Sequence, residues 1–139
     1  MILGLGNDLT DIRRFEHLWK RFPGRLQKAL FTEGEYAYAL GHRSPAAELA
    51  KRFSAKEACA KALGVGLKLL GAKTSEGIGW KDVEVCSDVS GQPQLRLLGK
   101  AWRRLLELTP AHATPTVHVS LSDQYPYAFA TVILSAGGA

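Results

Sequence analysis

The chain has 139 residues, of which 46% are hydrophobic and 22% are charged, as is ordinary for one globular domain. Eighteen Lys and Arg against thirteen Asp and Glu give a net charge of +5 and a pI near 9.4, which favours an anionic partner: nucleic acid, anionic lipid, a phosphorylated metabolite or an acidic protein. No apolar run approaches the ~20 residues that cross a bilayer, and residues 1–6 lack the basic flank of a signal peptide.

The first predicted element is a strand over residues 2–8, which contains two glycines. Gly4 and Gly6 weaken an ordinary packed strand but allow another backbone or a ligand to approach closely. Asp8 stands where this strand is expected to end. A helix is predicted to follow from Ile12 and to end before residues 23–24, a Pro-Gly pair.

Basic residues are concentrated in residues 13–28, where Glu16 is the only acidic residue. Arg14, Arg21 and Arg25 would share one face if the helix continued in register past the Pro-Gly pair. A solvated helix face is the ordinary interpretation of such a charge run. A docking surface for an anionic partner is the alternative.

Two further helices are predicted before the middle of the chain. A capping box from Thr32 to Glu35 predicts a short helix to about residue 40. Ser44 followed by Pro45 then starts the long central helix, expected over residues 45–63. Gly64 is suited to close it in the left-handed conformation.

The second half of the chain has mainly strand patterns. Five glycines indicate a mobile loop over residues 64–79. The helix expected over residues 101–108 would turn Trp102, Leu105 and Leu106 inward. Strands are predicted over residues 80–86, 94–98, 116–122 and 128–135, the last two as a hairpin. This order predicts an α+β fold in a single domain, residues 1–139, with a largely antiparallel sheet.

Two carboxylate residues are the hardest to explain as ordinary solvated residues of the surface. Asp8 lies at a strand end, and Glu57 lies inside the long helix on the same face as Phe53 and Lys61. Two carboxylates without a His or Cys cluster suit a hard cation such as Mg²⁺, which also binds water and substrate phosphate. The alternative is a plain i,i+4 ion pair between Glu57 and Lys61, with Asp8 as a cap.

The two cysteines, at positions 59 and 86, give no metal-type spacing and no disulfide framework. Cys59 lies within the Ala-rich helix, where a small packed residue is the expected role. A reducing, cytoplasmic setting is therefore expected.

Three motifs together resemble the holo-acyl-carrier-protein synthases, the short, single-repeat class of 4′-phosphopantetheinyl transferases. They are Gly6-Asn7-Asp8 after an apolar strand, then residues 52–64 (RFSAKEACAKALG), then residues 118–122 (HVSLS). The middle motif is specific, while the first is weak alone. The resemblance extends over almost the whole chain, including its length and its closing strand.

The resemblance implies transfer of the phosphopantetheine arm of coenzyme A to a serine of acyl carrier protein, which releases 3′,5′-ADP and supports fatty acid biosynthesis. Asp8 and Glu57 would hold Mg²⁺, and the serine would be deprotonated by Glu57 or by a water that Glu57 orients. Lys61 would stabilise charge on the phosphates. Positions matched to coenzyme A contacts are Arg52, Lys56, Lys61, Gly64 and His118, although His118 could also be a strand histidine with a routine hydrogen bond.

The resemblance also implies partners. Arg14, Arg21 and Arg25 match the basic face that docks the acidic carrier protein, and the family is typically a homotrimer with active sites between subunits. The strands over residues 80–86, 116–122 and 128–135 are candidates for that interface.

The chain departs from the family pattern at two positions. Asn7 stands where an apolar residue or Thr is frequent, and Asp123 stands where the third motif usually continues to a second histidine. A nucleotide contact by that histidine is therefore in doubt here, and Asp123 could only shape the turn.

Two other functions explain the sequence less well. A basic nucleic-acid-binding module would explain the pI but not Asp8 and Glu57, and no ribonucleoprotein, helix-turn-helix or zinc-finger signature is present. A non-catalytic partner of the carrier protein would not need the two carboxylates or Lys61. We therefore expect an enzyme that does not bind nucleic acid and does not span a membrane.

Overall fold

The computed structural model describes residues 1–68 and 77–138. Ten helices and strands lie in these ranges, with one 3₁₀ turn at Trp80–Asp82. In chain order they are β1 (Ile2–Asp11), α1 (Ile12–Arg21), α2 (Pro23–Leu30), α3 (Glu33–Leu40), α4 (Pro45–Leu63), β2 (Val83–Ser87), β3 (Pro93–Leu97), α5 (Gly99–Leu108), β4 (Thr114–Gln124) and β5 (Tyr127–Gly137).

The strands form two antiparallel groups. One is a three-stranded sheet in the order β1-β5-β4, and the other is the hairpin β2-β3. The predicted α+β class with a largely antiparallel sheet is confirmed. No helix in the described ranges combines the length and apolar character needed to cross a membrane.

Helix boundaries follow local capping chemistry. Asp11 caps α1, with its side chain accepting from the backbone of Arg13, and the capping box from Thr32 to Glu35 is formed at α3. The long helix α4 ends at Gly64 in the left-handed conformation, with φ of 69°. These ends agree with the sequence predictions.

The glycines of β1 allow it to lie directly on the backbone of α4. A Cβ at Gly6 would lie 2.0 Å from the carbonyl oxygen of Ala58, and one at Gly4 would lie 2.0 Å from that of Ala62. Glycine is therefore required by the close approach of two backbones. The pairs run antiparallel, so residues that follow Gly6 in β1 lie beside residues that precede Ala58 in α4.

Gly6→Ala is therefore expected to destabilise the fold by roughly 3 kcal/mol or more, because a backbone carbonyl cannot move aside as a flexible side chain can. Urea denaturation followed by circular dichroism would measure the loss. Gly24→Ala in α2 is the matched control, since no atom lies within 4 Å of its added Cβ. Equal stability of the Gly6→Ala variant and the wild type would contradict the close approach.

Helix α4 is shared by two hydrophobic cores. One face packs with α5 and β5 around buried Cys59, Leu63, Leu105, Val132 and Leu134. The other part packs with α1 and α2 through Leu49, Phe15, Leu26 and Leu30. The helix is thus a common wall, and its central residues are held from both sides.

Four features differ from the sequence expectations. Strand β1 continues beyond Asp8 to Asp11, so Asp8 lies within the strand and not at its end. Residues 23–30 form a separate helix, α2, and residues 80–82 form a 3₁₀ turn before strand β2 begins. On α5, Leu105 is buried as predicted, but Trp102 and Leu106 are 43% and 46% exposed, so their inward prediction is wrong. The buried face of α5 is instead formed by Ala101 and Leu105, four residues apart.

The predicted mobile loop over residues 64–79 lies partly outside the described residues. Its described ends meet, because Leu67 and Ile78 form a β-bridge. Trp80 also donates its indole N–H to the carbonyl oxygen of Lys68, at 2.8 Å.

Candidate active site

Asp8 and Lys61 meet where β1 crosses α4. The ammonium of Lys61 lies 3.2 Å from Asp8 Oδ1 and 2.9 Å from the carbonyl oxygen of Asn7. The ion pair of Lys61 is therefore with Asp8 in the strand, which is not the plain i,i+4 pair with Glu57. The strand–helix contact at Gly6 brings these residues together.

Thr10 and Ser54 add a second link between β1 and α4. The Thr10 hydroxyl donates to Asp8 Oδ2 at 3.2 Å and also hydrogen-bonds to the hydroxyl of Ser54. Both residues are buried. Sequence reasoning did not place them in the site, although Thr10 is two residues from Asp8 and so shares its face of the strand.

Glu57 is half-buried near Asp8, and both its burial and the nearby carboxylate raise the pKa of its carboxyl group. Burial is the larger cause, and the carboxylate of Asp8 is the second, while the ammonium of Lys61 acts in the opposite direction. Two carboxylates that disfavour each other's charge create a position where a cation would be stabilised. Glu57, Asp8 and Lys61 thus form one unit of interacting charges. We call Asp8 and Glu57 the carboxylate pair.

A groove of about 880 Å³ opens beside this unit. Asp8, Glu57 and Arg14 all line it, so one residue of the predicted docking face shares the groove with the carboxylate pair. Its other lining is largely apolar and includes Phe15, Leu18, Leu26, Phe53, Trp80 and Tyr127. The rings of Phe53 and Trp80 stack with centroids 5.2 Å apart. An anionic chain with apolar portions fits such a lining.

Arg21 and Arg25 are exposed, as a docking role requires. They do not belong to one continuous helix with Arg14, because α1 ends at Arg21 and α2 begins at Pro23. The condition for aligning the three arginines, a helix that continues in register past the Pro-Gly pair, is therefore not met. The basic residues lie instead on two consecutive short helices.

Lys56 is placed in the core. Its side chain is fully buried, and its ammonium donates to Glu35 Oε1 at 2.8 Å and to the carbonyl oxygens of Trp80 and Val83 at 2.8 and 2.7 Å. These three acceptors use the three donors of an ammonium. The expectation that Lys56 contacts coenzyme A directly does not fit this geometry.

Glu35 completes the buried network. One oxygen also accepts from the backbone N–H of Thr32, and the other accepts from the backbone N–H of Val85 at 2.9 Å. Burial lowers the pKa of Lys56, and the negative charge of Glu35 opposes that effect. Sequence reasoning assigned Glu35 only to the capping box of α3, so its link to α4 and β2 was missed.

Arg52 is also largely buried, at 4% exposed. Its Nη1 donates to Glu48 Oε2 at 3.1 Å, and its guanidinium carbon lies 4.3 Å from the centroid of the Tyr38 ring. It lines a smaller cavity, of about 280 Å³, together with Tyr38 and Glu84. Within one chain, Arg52 therefore lies apart from the groove of the carboxylate pair.

The remaining predicted residues lie at different places on the surface. Gly64 is exposed at the end of α4. His118 is exposed on β4, and its Nε2 lies 3.0 Å from the hydroxyl oxygen of Ser135 on the neighbouring strand. A single chain thus shows the routine strand hydrogen bond for His118 and does not bring it to Glu57.

The two positions that depart from the family pattern have different roles. The side chain of Asn7 faces outward, while its carbonyl oxygen accepts from Lys61. Asp123 pairs with Lys51 on α4, with Nζ and Oδ1 3.0 Å apart. Asp123 therefore ties the end of β4 to the long helix and does more than shape a turn.

Comparison with known proteins identifies the class. The chain belongs to the 4′-phosphopantetheinyl transferase superfamily, whose sequence profile matches residues 4–130.

Curated relatives and solved structures narrow this class. The chain is 46% identical over 136 residues to the holo-[acyl-carrier-protein] synthase of Phenylobacterium zucineum, covering 98% of this chain and 94% of that one. It is 48% identical to the corresponding protein of Methylobacterium radiotolerans, with 98% and 95% covered. The crystal structure of a holo-(acyl-carrier-protein) synthase from Bacillus anthracis in complex with CoA (3′,5′-ADP) matches with a TM-score of 0.70 and 29% identity, over 96% of each chain. The resemblance inferred from the three motifs is confirmed.

Proposed function

We propose that this protein transfers the 4′-phosphopantetheine arm of coenzyme A to a serine of apo acyl carrier protein, releases 3′,5′-ADP, and so supports fatty acid biosynthesis. The observation that carries the proposal is the convergence of Asp8, Glu57 and Arg14 on one groove, with Lys61 bonded to Asp8. Relatives named holo-[acyl-carrier-protein] synthase are 43–48% identical to this chain over nearly its full length. A single-domain chain in the cytoplasm remains the expectation from the sequence.

Asp8 and Glu57 are the residues that would hold Mg²⁺. No group of three or more His, Cys, Asp or Glu side chains suited to a metal is found in residues 1–68 and 77–138. Two carboxylates nevertheless fit this ion, because Mg²⁺ is usually bound by one or two carboxylates together with water and phosphate oxygens. When bound, Mg²⁺ would neutralise charge on the diphosphate of coenzyme A.

Glu57 and Lys61 have complementary roles in the proposed transfer. Glu57, with its pKa raised by burial and by Asp8, is suited to accept the proton of the serine hydroxyl or to orient a water that accepts it. Lys61 is 55% exposed at its side chain and so can also reach the anionic phosphates. The serine oxygen would attack the β-phosphorus, and 3′,5′-ADP would leave.

The function is tested by incubating the protein with coenzyme A, MgCl₂ and apo acyl carrier protein, followed by intact-mass measurement of the carrier protein. We expect the mass to increase by one phosphopantetheine group. Addition of excess EDTA should prevent the increase. An unchanged mass, with an active control synthase alongside, would reject the proposed function.

Arg14 is proposed to dock the acidic carrier protein together with Arg21 and Arg25. Arg14→Glu is expected to raise the KM for carrier protein by about tenfold or more, because it replaces attraction by repulsion. The KM for coenzyme A should change little. Arg103→Glu, at an exposed residue of α5, is the matched control. Equal effects of Arg14→Glu on both KM values would argue against docking.

A homotrimer with active sites between subunits is proposed from the outer face of the sheet β1-β5-β4. Leu5 and Leu9 are both 61% exposed on this face, and Phe129, paired with Leu9, is 39% exposed. Exposed apolar side chains in one register mark a contact surface. The sheet includes β4 and β5, and therefore the predicted strands over residues 116–122 and 128–135. Residues 80–86 lie in the 3₁₀ turn and in β2, which is not part of this sheet.

Leu5→Lys is therefore expected to produce a monomer in light scattering after gel filtration. Leu106→Lys on α5 introduces the same charge at a residue that is 46% exposed, and it should leave the mass unchanged. A wild-type protein with the mass of one chain would refute the trimer.

A further inference from the structure

A chain of four charged side chains links the end of β4 to the buried guanidinium of Arg52. Lys51 Nζ lies 3.0 Å from Asp123 Oδ1 and 2.9 Å from Glu48 Oε1. The other carboxylate oxygen of Glu48, Oε2, accepts from Arg52 at 3.1 Å, and the Glu48 carbonyl oxygen accepts from the same Nη1 at 3.2 Å. Each carboxylate oxygen of Glu48 thus holds one cation.

The charges of this network balance only when Asp123 is included. Lys51 and Arg52 are consecutive cations on α4, and Glu48 supplies a single negative charge for both. Asp123 supplies the second negative charge from another element. Without it, Lys51 would draw more strongly on the carboxylate that orients Arg52, since opposite charges at this separation attract.

The network is partly shielded from solvent. The side chains of Lys51 and Glu48 are each 17% exposed, and that of Asp123 is 40% exposed. Burial alone would lower the pKa of Lys51, but its hydrogen bonds to Glu48 and Asp123 and the negative charges of these two residues together outweigh burial and raise it. Lys51 therefore stays charged at neutral pH.

Arg52 is fixed in place but has an unused donor. Its guanidinium stacks on Tyr38 and lines the cavity of about 280 Å³. The buried Nε has no hydrogen-bond partner in the part of the chain that the structure describes. A buried donor without an acceptor is costly, so the described residues leave part of the hydrogen-bonding capacity of this guanidinium unused.

We propose that Asp123 and Lys51 are positioning residues, which act through Glu48 to hold the guanidinium of Arg52 for a phosphate group of coenzyme A. This inference rests on the proposed function, because it takes coenzyme A as the anion that Arg52 meets. It also rests on the proposed trimer, because within one chain Arg52 lies apart from the groove of the carboxylate pair. Asp123 stands where the family pattern has a histidine, so the tie from β4 to Arg52 is a property of this chain's own sequence. The residue acts without touching the substrate.

The test compares Asp123→Asn and Lys51→Met with the wild type in steady-state kinetics and in calorimetric titration with coenzyme A. Each variant is expected to raise the KM and the Kd for coenzyme A by about threefold or more, as loss of one half-buried ion pair would. The KM for carrier protein and the melting temperature should change little. Asp123→Glu should restore coenzyme A affinity, and Glu16→Gln, which breaks the exposed pair with Lys20, is the matched control.

The variant Arg52→Lys tests whether Asp123 acts through Arg52. We expect Arg52→Lys to weaken coenzyme A binding, and Arg52→Lys with Asp123→Asn to weaken it no further, because both changes affect one contact. Additive losses, equal rises in both KM values, or an unaltered Asp123→Asn variant beside a weakened Arg52→Lys variant would overturn the positioning role. A wild type that binds coenzyme A but transfers nothing would reject the proposed function while leaving this binding result standing.

Discussion

Glu57→Gln is expected to lower kcat for phosphopantetheine transfer by about 10²- to 10⁴-fold. Glutamine has nearly the same size, so the half-buried position remains filled. The substitution removes both the negative charge proposed to hold Mg²⁺ and the oxygen proposed to accept the serine proton. The transfer is measured by carrier-protein mass against time at saturating coenzyme A and MgCl₂.

The circular dichroism spectrum and melting temperature of Glu57→Gln should remain close to those of the wild type. Glu107→Gln makes the same chemical change at a 66% exposed side chain on α5, where it is expected to leave kcat unchanged. Wild-type turnover by Glu57→Gln would exclude Glu57 from both proposed roles. The roles of Asp8 and Lys61 could then be tested separately by Asp8→Asn and Lys61→Met.

Lys56→Met is expected to reduce the free energy of unfolding by about 3–5 kcal/mol, because breaking a buried ion pair leaves an uncompensated charge. The charge left behind is that of Glu35, whose side chain is 0% exposed. The two carbonyl oxygens that accept from Lys56 would also lose their donor. Urea denaturation monitored by Trp fluorescence and circular dichroism would measure the change.

Lys20→Met is the matched control for Lys56→Met. Its pair with Glu16 is exposed at both side chains, and exposed pairs contribute about 0–1 kcal/mol. Glu35→Gln combined with Lys56→Met should lose less stability than the sum of the single changes, since the two side chains interact directly. A loss for Lys56→Met as small as that for Lys20→Met would contradict the buried network.

Local chemistry made much of this fold predictable. The capping box at Thr32, the Pro45 start and the Gly64 end of α4 depend on neighbouring residues, so their signals are readable in the sequence. The glycines of β1 also indicated a close approach, although the sequence did not say which backbone approaches. The structure identifies it as that of α4.

What could not be predicted depends on contacts between distant residues. Lys56 and Glu57 are adjacent charged residues in one motif, yet Lys56 is buried against Glu35 while Glu57 lines the groove. Helical spacing alone does not reveal which of them meets an acceptor from another element. Likewise, the partner of Lys61 is Asp8, 53 residues earlier, and the partner of Lys51 is Asp123, on β4.

The pairing of the first strand, β1, with β5 has a consequence for how the protein is made. The strand that carries Asp8 lies at the edge of its sheet and pairs with β5, in a register that places Asp8 opposite Ala130. During synthesis, β1 leaves the ribosome long before β5 does. The backbone edge of β1 that pairs with β5 therefore remains unpaired until β5 has been made. The pairing of Asp8 with Ala130 can therefore form only after β5 has been synthesised.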